Sequence, residues 1–177
     1  MGAIGVTPDL IWTTLSEACA APGHPLRTPT LATIDASIPS LRMVVLRAVR
    51  PEARALVFHT DTRSAKWGQL AADPAASVLT WDPESQIQMR LTGQITRHGP
   101  DSPEAQSAWN VLPPYTRNTY AGAPPGRALE ATSGTDTDAF GVLVFTAQTL
   151  DWLHLSRAGN RRAQVDLNTG HVTWVAP

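Results

Sequence analysis

Cysteine and lysine are almost absent from this sequence. Its 177 residues contain one cysteine, Cys19, so an intramolecular disulfide and a cysteine-based zinc site are both excluded. Lys66 is the only lysine among 14 basic residues, and the net charge is -1. The sequence therefore lacks the basic excess of a protein that binds nucleic acid or a membrane surface. Charged residues make up only 16% of the chain, which suits a protein that hides part of its surface in an oligomer.

Long apolar runs are missing as well. The most apolar stretch, Phe140 to Leu155, is interrupted by Thr146, Gln148 and Asp151, so no transmembrane helix is predicted. Met1 to Asp9 has neither the basic nor the apolar region of a secretory signal, and we therefore expect a cytoplasmic protein. The five histidines are scattered without metal-ligand spacing, and we expect no metal site. The glycine-rich phosphate loops G-x-G-x-x-G and G-x-x-x-x-G-K-[ST] are also absent.

The pattern indicates one domain over residues 1–177. Residues 1–30 are predicted to form a helix and its lead-in, since Thr7-Pro8-Asp9 is typical of a helix start. Residues 121–138 are rich in Gly, Pro, Ser, Thr and Asp, and they are predicted to form a flexible surface loop. A chain of 19.0 kDa buries about 70% of its unfolded surface, which is enough for its own core.

Short strands dominate the rest of the chain. They are predicted at residues 31–35, 41–49, 56–60, 77–81, 87–95, 140–145, 150–155, 161–166 and 171–175. Turns are predicted at Ala36 to Pro39 and Asn168 to Gly170, and helices within 61–72 and 102–112. Strands and helices do not alternate regularly, which argues against a doubly wound parallel sheet. The order favours a mainly β fold, a small antiparallel barrel with helical decorations.

A strand-to-helix turn carries the candidate anion-binding groups. Thr60, Arg63, Ser64 and Lys66 lie around this turn, and Arg42 and Arg47 lie on an earlier strand. Hydroxyl groups and a cation beside a helix N-terminus make a competent phosphate site. The same residues are also compatible with a solvated turn that contains one lysine, so the pattern alone leaves both interpretations open.

Four segments occur in an order that carries a family resemblance. They are residues 42–47 (RMVVLR), residues 58–66 (FHTDTRSAK), residues 86–93 (QIQMRLTG), and Trp152 followed ten residues later by Arg162. Together they resemble the FMN-binding split barrel of the pyridoxamine 5'-phosphate oxidase superfamily. The likeness is to the oxidase-related branch and not to the biosynthetic enzyme, and it runs from about Leu31 to the end of the chain. It implies an antiparallel split barrel of Greek-key type.

The resemblance also implies which residues bind FMN. In the family, the strand R-x-V-x-L-[KR] and the turn S-x-K contact the phosphate and ribityl chain. This comparison assigns to FMN the residues Arg42, Met43, Val44, Val45, Leu46, Arg47, Ser64 and Lys66. The family's aromatic-threonine pair matches His59 and Thr60, and its flavin-side glutamine matches Gln88. Trp152 and Arg162 match residues of the second subunit, so the resemblance implies a homodimer with FMN at the interface.

Plainer interpretations of some of these residues remain open. Trp152 is also explained as core packing, because large aromatic side chains are usually buried for their area alone. Arg162 lies beside Arg161, so one of the two is expected to be solvated. Arg90 alternates with Gln88 and is also explained as part of a surface pair.

Several positions depart from the family pattern. The biosynthetic oxidase holds its substrate phosphate with an Arg-x-His element, where this chain has Ala158 and Asn160. Arg47 replaces the lysine that ends the first motif, and His59 replaces a Tyr or Phe. Residues 109–120 show no match to the remaining substrate residues. We therefore expect pyridoxamine 5'-phosphate to be a poor substrate.

The leading hypothesis is an FMN-dependent oxidoreductase that transfers a hydride to the flavin from an unknown substrate. Residues 121–138 are a candidate lid over the flavin. The alternatives are an FMN-binding module without turnover, a flavin reductase that uses NAD(P)H, and a cofactor-free barrel used for assembly.

Overall fold

The computed structural model describes residues 6–126 and 139–177, and these residues form a mainly β protein, as predicted. Their strands are β1 (Thr30–Asp35), β2 (Ile38–Met43), β3 (Leu46–Arg50), β4 (Ala55–Asp61), β5 (Ala75–Asp82), β6 (Ile87–His98), β7 (Phe140–His154), β8 (Arg161–Asp166) and β9 (Val172–Val175). Their helices are α1 (Pro8–Ala20), α2 (Ala65–Ala72), α3 (Pro103–Asn110) and α4 (Pro114–Arg117), with short 3₁₀ turns at Pro25–Arg27, Pro51–Ala53 and Asn118–Tyr120.

All the strands belong to one antiparallel sheet. Seven of them follow the order β2-β1-β5-β6-β7-β4-β3, while β8 pairs with β7 and β9 pairs with β8. β2 and β3 stand at opposite ends of this order, yet only Val44 and Val45 separate them in the sequence. The sheet therefore curls until its two edges approach each other, which produces the barrel.

The prediction of one strand over residues 41–49 is wrong. The chain leaves β2 at Met43 and starts β3 at Leu46, on the other edge of the sheet. The crossing is fixed by the backbone N–H of Val44, which donates to the carbonyl of Pro29 at 3.0 Å. The apolar, β-branched sequence of this segment gives no local sign of the crossing, because extended residues in a strand and in a barrel corner have the same composition.

β7 is one strand of 15 residues where the sequence predicts two. Thr92 of β6 pairs with Thr149, whereas Gly93 pairs with Ala147, so Gln148 has no residue opposite it. This extra residue forms a β-bulge. The polar residues in the middle of the strand mark that bulge and not a turn. β7 consequently pairs with β6 along its length, with β4 through its first half and with β8 through its second half.

The predicted turn at residues 36–39 is shorter in the structure. Only Ala36 and Ser37 connect β1 to β2, both with positive φ (45° and 73°). Positive φ at both residues is the geometry of a tight hairpin turn. Pro39 lies inside β2, which tolerates a proline because β2 is at the end of the sheet order.

The predicted alternation of β6 is confirmed. Met89, Leu91 and Ile95 are buried, and Arg90 and Gln94 between them are exposed. Helix α1 covers this core with Ile11, Trp12, Leu15 and Ala18. The opposite, outward side of β4 and β7 is covered by α3 and the segment after it, with Phe140 and Tyr120 packed edge to face at 5.0 Å.

The candidate lid at residues 121–138 lies mostly outside the described residues, since the structure describes it only as far as Gly126. No helix of residues 6–126 and 139–177 is long and apolar enough to cross a membrane.

Gly93→Ala is expected to destabilise the protein. A Cβ at this position would lie 2.0 Å from the backbone carbonyl oxygen of Thr146, next to the bulge, and the contacted atoms are backbone, which cannot rotate away as the end of a side chain can. We expect the free energy of unfolding to fall by about 2 kcal/mol or more in a denaturant titration. Gly68→Ala is the matched control, because nothing lies within 4 Å of that Cβ in helix α2. It should stabilise the protein by about 0.5–1 kcal/mol. Equal effects of the two variants would contradict the close approach of Gly93 to the backbone of Thr146.

Candidate functional site

The turn between β4 and α2 has a defined hydrogen-bond structure. Ser64 is 7% exposed, and its hydroxyl donates to the carbonyl of Asp61 at 2.6 Å and accepts from the Lys66 ammonium at 2.8 Å. Thr60 is also buried, with its hydroxyl 3.5 Å from that of Ser64. Ser64 is the N-cap residue of α2 but makes no capping bond with its side chain. The two hydroxyls and the ammonium therefore converge at the N-terminal end of this helix.

Arg42 approaches the same region from β2. Its guanidinium donates to the hydroxyls of Thr33 at 2.6 Å and Ser40 at 2.7 Å, and to Oε1 of Gln69 at 2.9 Å. Gln69 lies in α2 and donates in turn to Asp35 at 3.0 Å. These contacts tie β1 and β2 to α2 and hold the guanidinium in one orientation.

Arg42 and Lys66 are electrostatically coupled. Burial lowers the pKa of Lys66, the positive charge of Arg42 lowers it further, and Asp61 opposes both effects. Burial also lowers the pKa of Arg42, against an opposing effect of Asp35. Among the ion pairs within residues 6–126 and 139–177, none includes Arg42 or Lys66. Two neighbouring cations without a carboxylate in direct contact create a positive potential that an anion would relieve.

Arg63, in the middle of the turn, binds Asp61 and backbone carbonyls of the segment after α4. Its side chain bonds both carboxylate oxygens of Asp61, at 3.1 and 2.8 Å. It also donates to the carbonyls of Tyr120 and Gly122, each at 3.1 Å. Arg63 therefore fastens the segment after α4 to the turn that carries Ser64 and Lys66.

At the crossing between β2 and β3, inward-facing side chains alternate with outward-facing ones. Leu46 is fully buried in the core and Val44 is 8% exposed, so these two side chains pack inside the protein. Met43 and Val45 point outward, at 68% and 36% exposure. Contact of Val44 or Leu46 with a cofactor would have to come through backbone atoms.

His59 lies on β4, on the outward side next to Phe140, whose ring centroid is 5.1 Å away in an edge-on orientation. Its Nδ1 atom is buried and has no hydrogen-bond partner among the described residues. Burial, and then the nearby charge of Arg47, lower the pKa of His59 from 6.5 to about 4. The imidazole is therefore neutral at physiological pH. Arg47 itself is exposed, on the strand beside β4.

Gln88 and Arg162 share the outward face of the sheet. Gln88 pairs with Leu153 of β7, which pairs with Arg162 of β8, so the three residues form one row across three strands. Arg162 donates to Asp151 through Nε at 2.9 Å and Nη2 at 2.6 Å. Arg90 donates to the same carboxylate at 2.7 Å. Hydrogen bonds from Arg162 hold the pKa of Asp151 below its usual range, against an opposing effect of burial.

Trp152 faces the other way. It is 4% exposed and pairs with Met89 and Ala163, both of which belong to the core. Its ring meets that of Trp174 at 6.2 Å, nearly perpendicular. The structure thus supports the core-packing interpretation, and contact of Trp152 with FMN stays a prediction. Ala158 and Asn160 lie in the loop between β7 and β8, where Asn160 accepts from the backbone N–H of Ser156.

Six of the predicted site residues fall into two sets, and residues 43–47, His59 and Trp152 belong to neither. Thr60, Ser64 and Lys66 lie together at the N-terminus of α2, and Arg42 contacts the same helix at Gln69; we call these four residues the α2 cluster. Gln88 and Arg162 share the outward face of β6 to β8, with Leu153 between them. Arg42 pairs with the fully buried Leu31 and so faces the core side of the sheet, whereas Gln88 and Arg162 face the opposite side.

Sequence reasoning missed two residues that organise these sets. Gln69 binds Arg42, and the signal available was its position three residues after Lys66, on the same side of α2. Asp151 binds Arg162 and Arg90, but in the sequence it is visible only as an interruption of an apolar run. Within the described residues, no group of three or more His, Cys, Asp or Glu is arranged to hold a metal ion.

Solved structures share this architecture. A pyridoxamine 5'-phosphate oxidase-related, FMN-binding protein from Nostoc punctiforme PCC 73102 superposes with a TM-score of 0.82 at 22% identity, over 98% of this chain and 100% of that chain. PhzG from Burkholderia lata 383, in complex with tetrahydrophenazine-1-carboxylic acid, gives a TM-score of 0.79 at 17% identity, over 96% of this chain and 91% of that chain. These similarities show the fold, which is the split barrel of FMN-binding proteins.

The sequence comparison then shows the family. Residues 10–99 match the pyridoxamine 5'-phosphate oxidase FMN-binding domain, and the chain belongs to this family. A pyridoxine/pyridoxamine 5'-phosphate oxidase from Anaeromyxobacter dehalogenans (strain 2CP-C) is 37% identical over 83 residues, which are 46% of this chain and 41% of that protein. The match thus spans about two fifths of the length of such curated relatives.

The depressed pKa of His59 predicts a specific dependence of stability on pH. Because the folded chain binds the imidazole proton less readily than the unfolded chain, stability from neutral His59 is complete above pH 6.5 and is lost as the pH falls toward 4. His59→Phe keeps a ring against Phe140 but cannot titrate. Between about pH 7.5 and about pH 4.5, the wild type should lose about 1 kcal/mol or more of unfolding free energy beyond the loss in His59→Phe. Denaturant titrations at both pH values measure this difference, and equal losses would show that His59 is not buried as described.

Proposed function

We propose that this chain is an FMN-dependent oxidoreductase whose α2 cluster binds the phosphate of FMN. The proposal depends on one observation. Arg42 and Lys66 are two electrostatically coupled, partly buried cations, and neither has an ion-pair partner among the described residues. A phosphate dianion would neutralise both, and the hydroxyls of Ser64 and Thr60 would donate to it on turning away from the Asp61 carbonyl that they contact now. Membership of an FMN-binding family supports the choice of FMN over other phosphate compounds.

The donor set of the α2 cluster fits this group. Thr33, Ser40 and Gln69 hold the Arg42 guanidinium in place, and Ser64 holds the Lys66 ammonium. These side chains therefore lose little conformational entropy when a ligand binds. FMN supplies the capacity to accept a hydride, which no protein side chain has. The role of this chain's own residues is to bind the phosphate, to orient the ligand and to supply the charges around it.

A second subunit would complete the site. The α2 cluster and the pair Gln88 and Arg162 face opposite sides of the sheet, so one FMN bound within a single chain would not reach both. A homodimer with FMN at its interface would bring one protomer's α2 cluster to its partner's outward face. The exposed apolar side chains of that face support this arrangement: Leu41 and Met43 of β2 and Leu79 and Trp81 of β5.

The substrate side of the site is less complete. Ala158 and Asn160 offer neither the cation nor the imidazole that the resemblance leads one to expect, and both lie in an exposed loop. An FMN-binding module without turnover, or a flavin reductase, is therefore the alternative. Steady-state oxidation of NAD(P)H and of pyridoxamine 5'-phosphate by the FMN-loaded protein separates them: no turnover with either favours the binding module, and turnover with NAD(P)H alone favours the reductase.

The dimer predicts a particle of twice the 19.0 kDa chain mass in light scattering at micromolar concentration. Leu41→Asp places a charge on the apolar face, at a residue 63% exposed in the single chain, and should shift the particle toward the monomer. Val111→Asp is the control, because Val111 is 80% exposed at the end of α3, which packs on β4 and β7 and not on β2 or β5. A wild type that remains a monomer would contradict the proposed interface.

Lys66→Ala tests the phosphate contact. Riboflavin lacks the phosphate of FMN, so it reports binding of the ring and ribityl chain alone. With two charge-assisted contacts to the phosphate, FMN should bind at least about 100-fold tighter than riboflavin. Lys66→Ala should weaken FMN binding by about tenfold or more and change riboflavin binding by less than about twofold. Quenching of flavin fluorescence measures both.

Arg50→Ala is the control for the loss of a positive charge, since Arg50 pairs with Glu104 on the surface. It should leave the binding of both ligands unchanged. If Lys66→Ala weakens FMN and riboflavin equally, Lys66 supports the fold and not the phosphate, and the proposed site is wrong.

A further inference from the structure

Asp151 has an unusual position on the outward face. It is 9% exposed and lies on β7, the strand between β6 and β8. Its direct neighbours in the register are Arg90 on β6 and Gln164 on β8. One carboxylate thus lies at the centre of a three-strand surface and receives two guanidinium groups.

The two arginines are bound differently. Arg162 makes two hydrogen bonds to Asp151, one to each carboxylate oxygen, through Nε at 2.9 Å and Nη2 at 2.6 Å. Arg90 makes one, at 2.7 Å, and its side chain is 51% exposed against 33% for Arg162. A paired contact fixes the plane of a guanidinium, whereas a single contact leaves it free to rotate. Asp151 therefore orients Arg162 more strictly than Arg90.

The net charge of Asp151, Arg90 and Arg162 is also important. Two guanidinium groups share one carboxylate, so the group of three carries a net charge of about +1 on the face that holds Gln88. Without the carboxylate, the two arginines would repel each other and turn toward solvent. The carboxylate thus keeps a positive charge in a fixed place on this face.

We propose that Asp151 is a positioning residue of the flavin site, which acts by holding the Arg162 guanidinium on the outward face of β6 to β8 in the orientation that binds FMN. This inference rests on the proposed function, because it takes Arg162 as a group that contacts FMN. It goes beyond that function by assigning a role to a residue that touches no ligand.

A double-mutant cycle on FMN affinity tests the proposal. The variants are Asp151→Asn, Arg162→Gln and the two combined, with dissociation constants from flavin fluorescence quenching. Asp151→Asn keeps the size of the side chain and removes its charge, and it should weaken FMN binding by about tenfold. In the Arg162→Gln background, the same change should weaken binding by less than about twofold, because the residue it positions is gone. A merely structural ion pair would not produce this dependence on the background.

Arg90→Gln is the matched control. It removes the other partner of Asp151 and leaves both hydrogen bonds to Arg162, so it should change FMN affinity by less than about threefold. If Asp151→Asn does not fold, Asp151→Glu replaces it in the cycle. Glutamate keeps the charge but moves it by one methylene, and it should weaken FMN binding by about threefold or more, again only when Arg162 is present.

The outcomes separate this proposal from the proposed function. Equal losses from the Asp151 change in both backgrounds would overturn the positioning role, as would an Arg162→Gln variant that binds FMN like the wild type. In both cases wild-type FMN binding and its dependence on Lys66 would remain, and the proposed function would stand. A wild-type protein that does not bind FMN would refute both together.

Discussion

The short crossing at Val44 and Val45 is the constraint on which the rest of the molecule depends. Two residues join strands at opposite ends of the sheet order, so the sheet has to curl into a barrel. The hydrogen bond from Val44 to Pro29 holds the crossing in place. Arg42 comes just before the crossing. The curl of the sheet brings its side chain to the core side, where it contacts Gln69 of α2. The polar cluster at the end of α2 is thus a consequence of how the barrel is joined.

Burial of charge defines the character of that cluster. Arg42 and Lys66 lie close enough for Arg42 to depress the pKa of Lys66, and both are supported by neutral oxygens of hydroxyl and amide groups. A neutral support orients a cation without cancelling its charge. Arg162 on the outward face is in a different situation, since it shares a carboxylate with Arg90. Neutral oxygens thus orient the cations of the α2 cluster, whereas the Asp151 carboxylate orients Arg162 on the outward face.

The local sequence predicted much of the secondary structure, because its signals act over short distances. The helix start at Thr7 depends on a side-chain cap and the alternation of β6 on side-chain period, and both are present. Helix α2 also begins after Ser64, although the Ser64 side chain makes no capping bond. The family resemblance, drawn from four short segments, agrees with the fold and with the family match. Long-range features were predicted less well: the crossing at Val44 and the bulge at Gln148 have no local signature, since both are set by the pairing of distant strands.

The candidate site shows the same division. The sequence by itself determined which residue types are available: one lysine, a Ser and a Thr in the same turn, and an Arg that begins a strand motif. Only the tertiary structure decided which of them meet. It joined Arg42 to Gln69 across the barrel and Arg162 to Asp151 across two strands, and it turned Trp152 into the core. The physical reason is that residue type sets what a side chain is able to bind, whereas strand register and barrel closure set what lies within its reach.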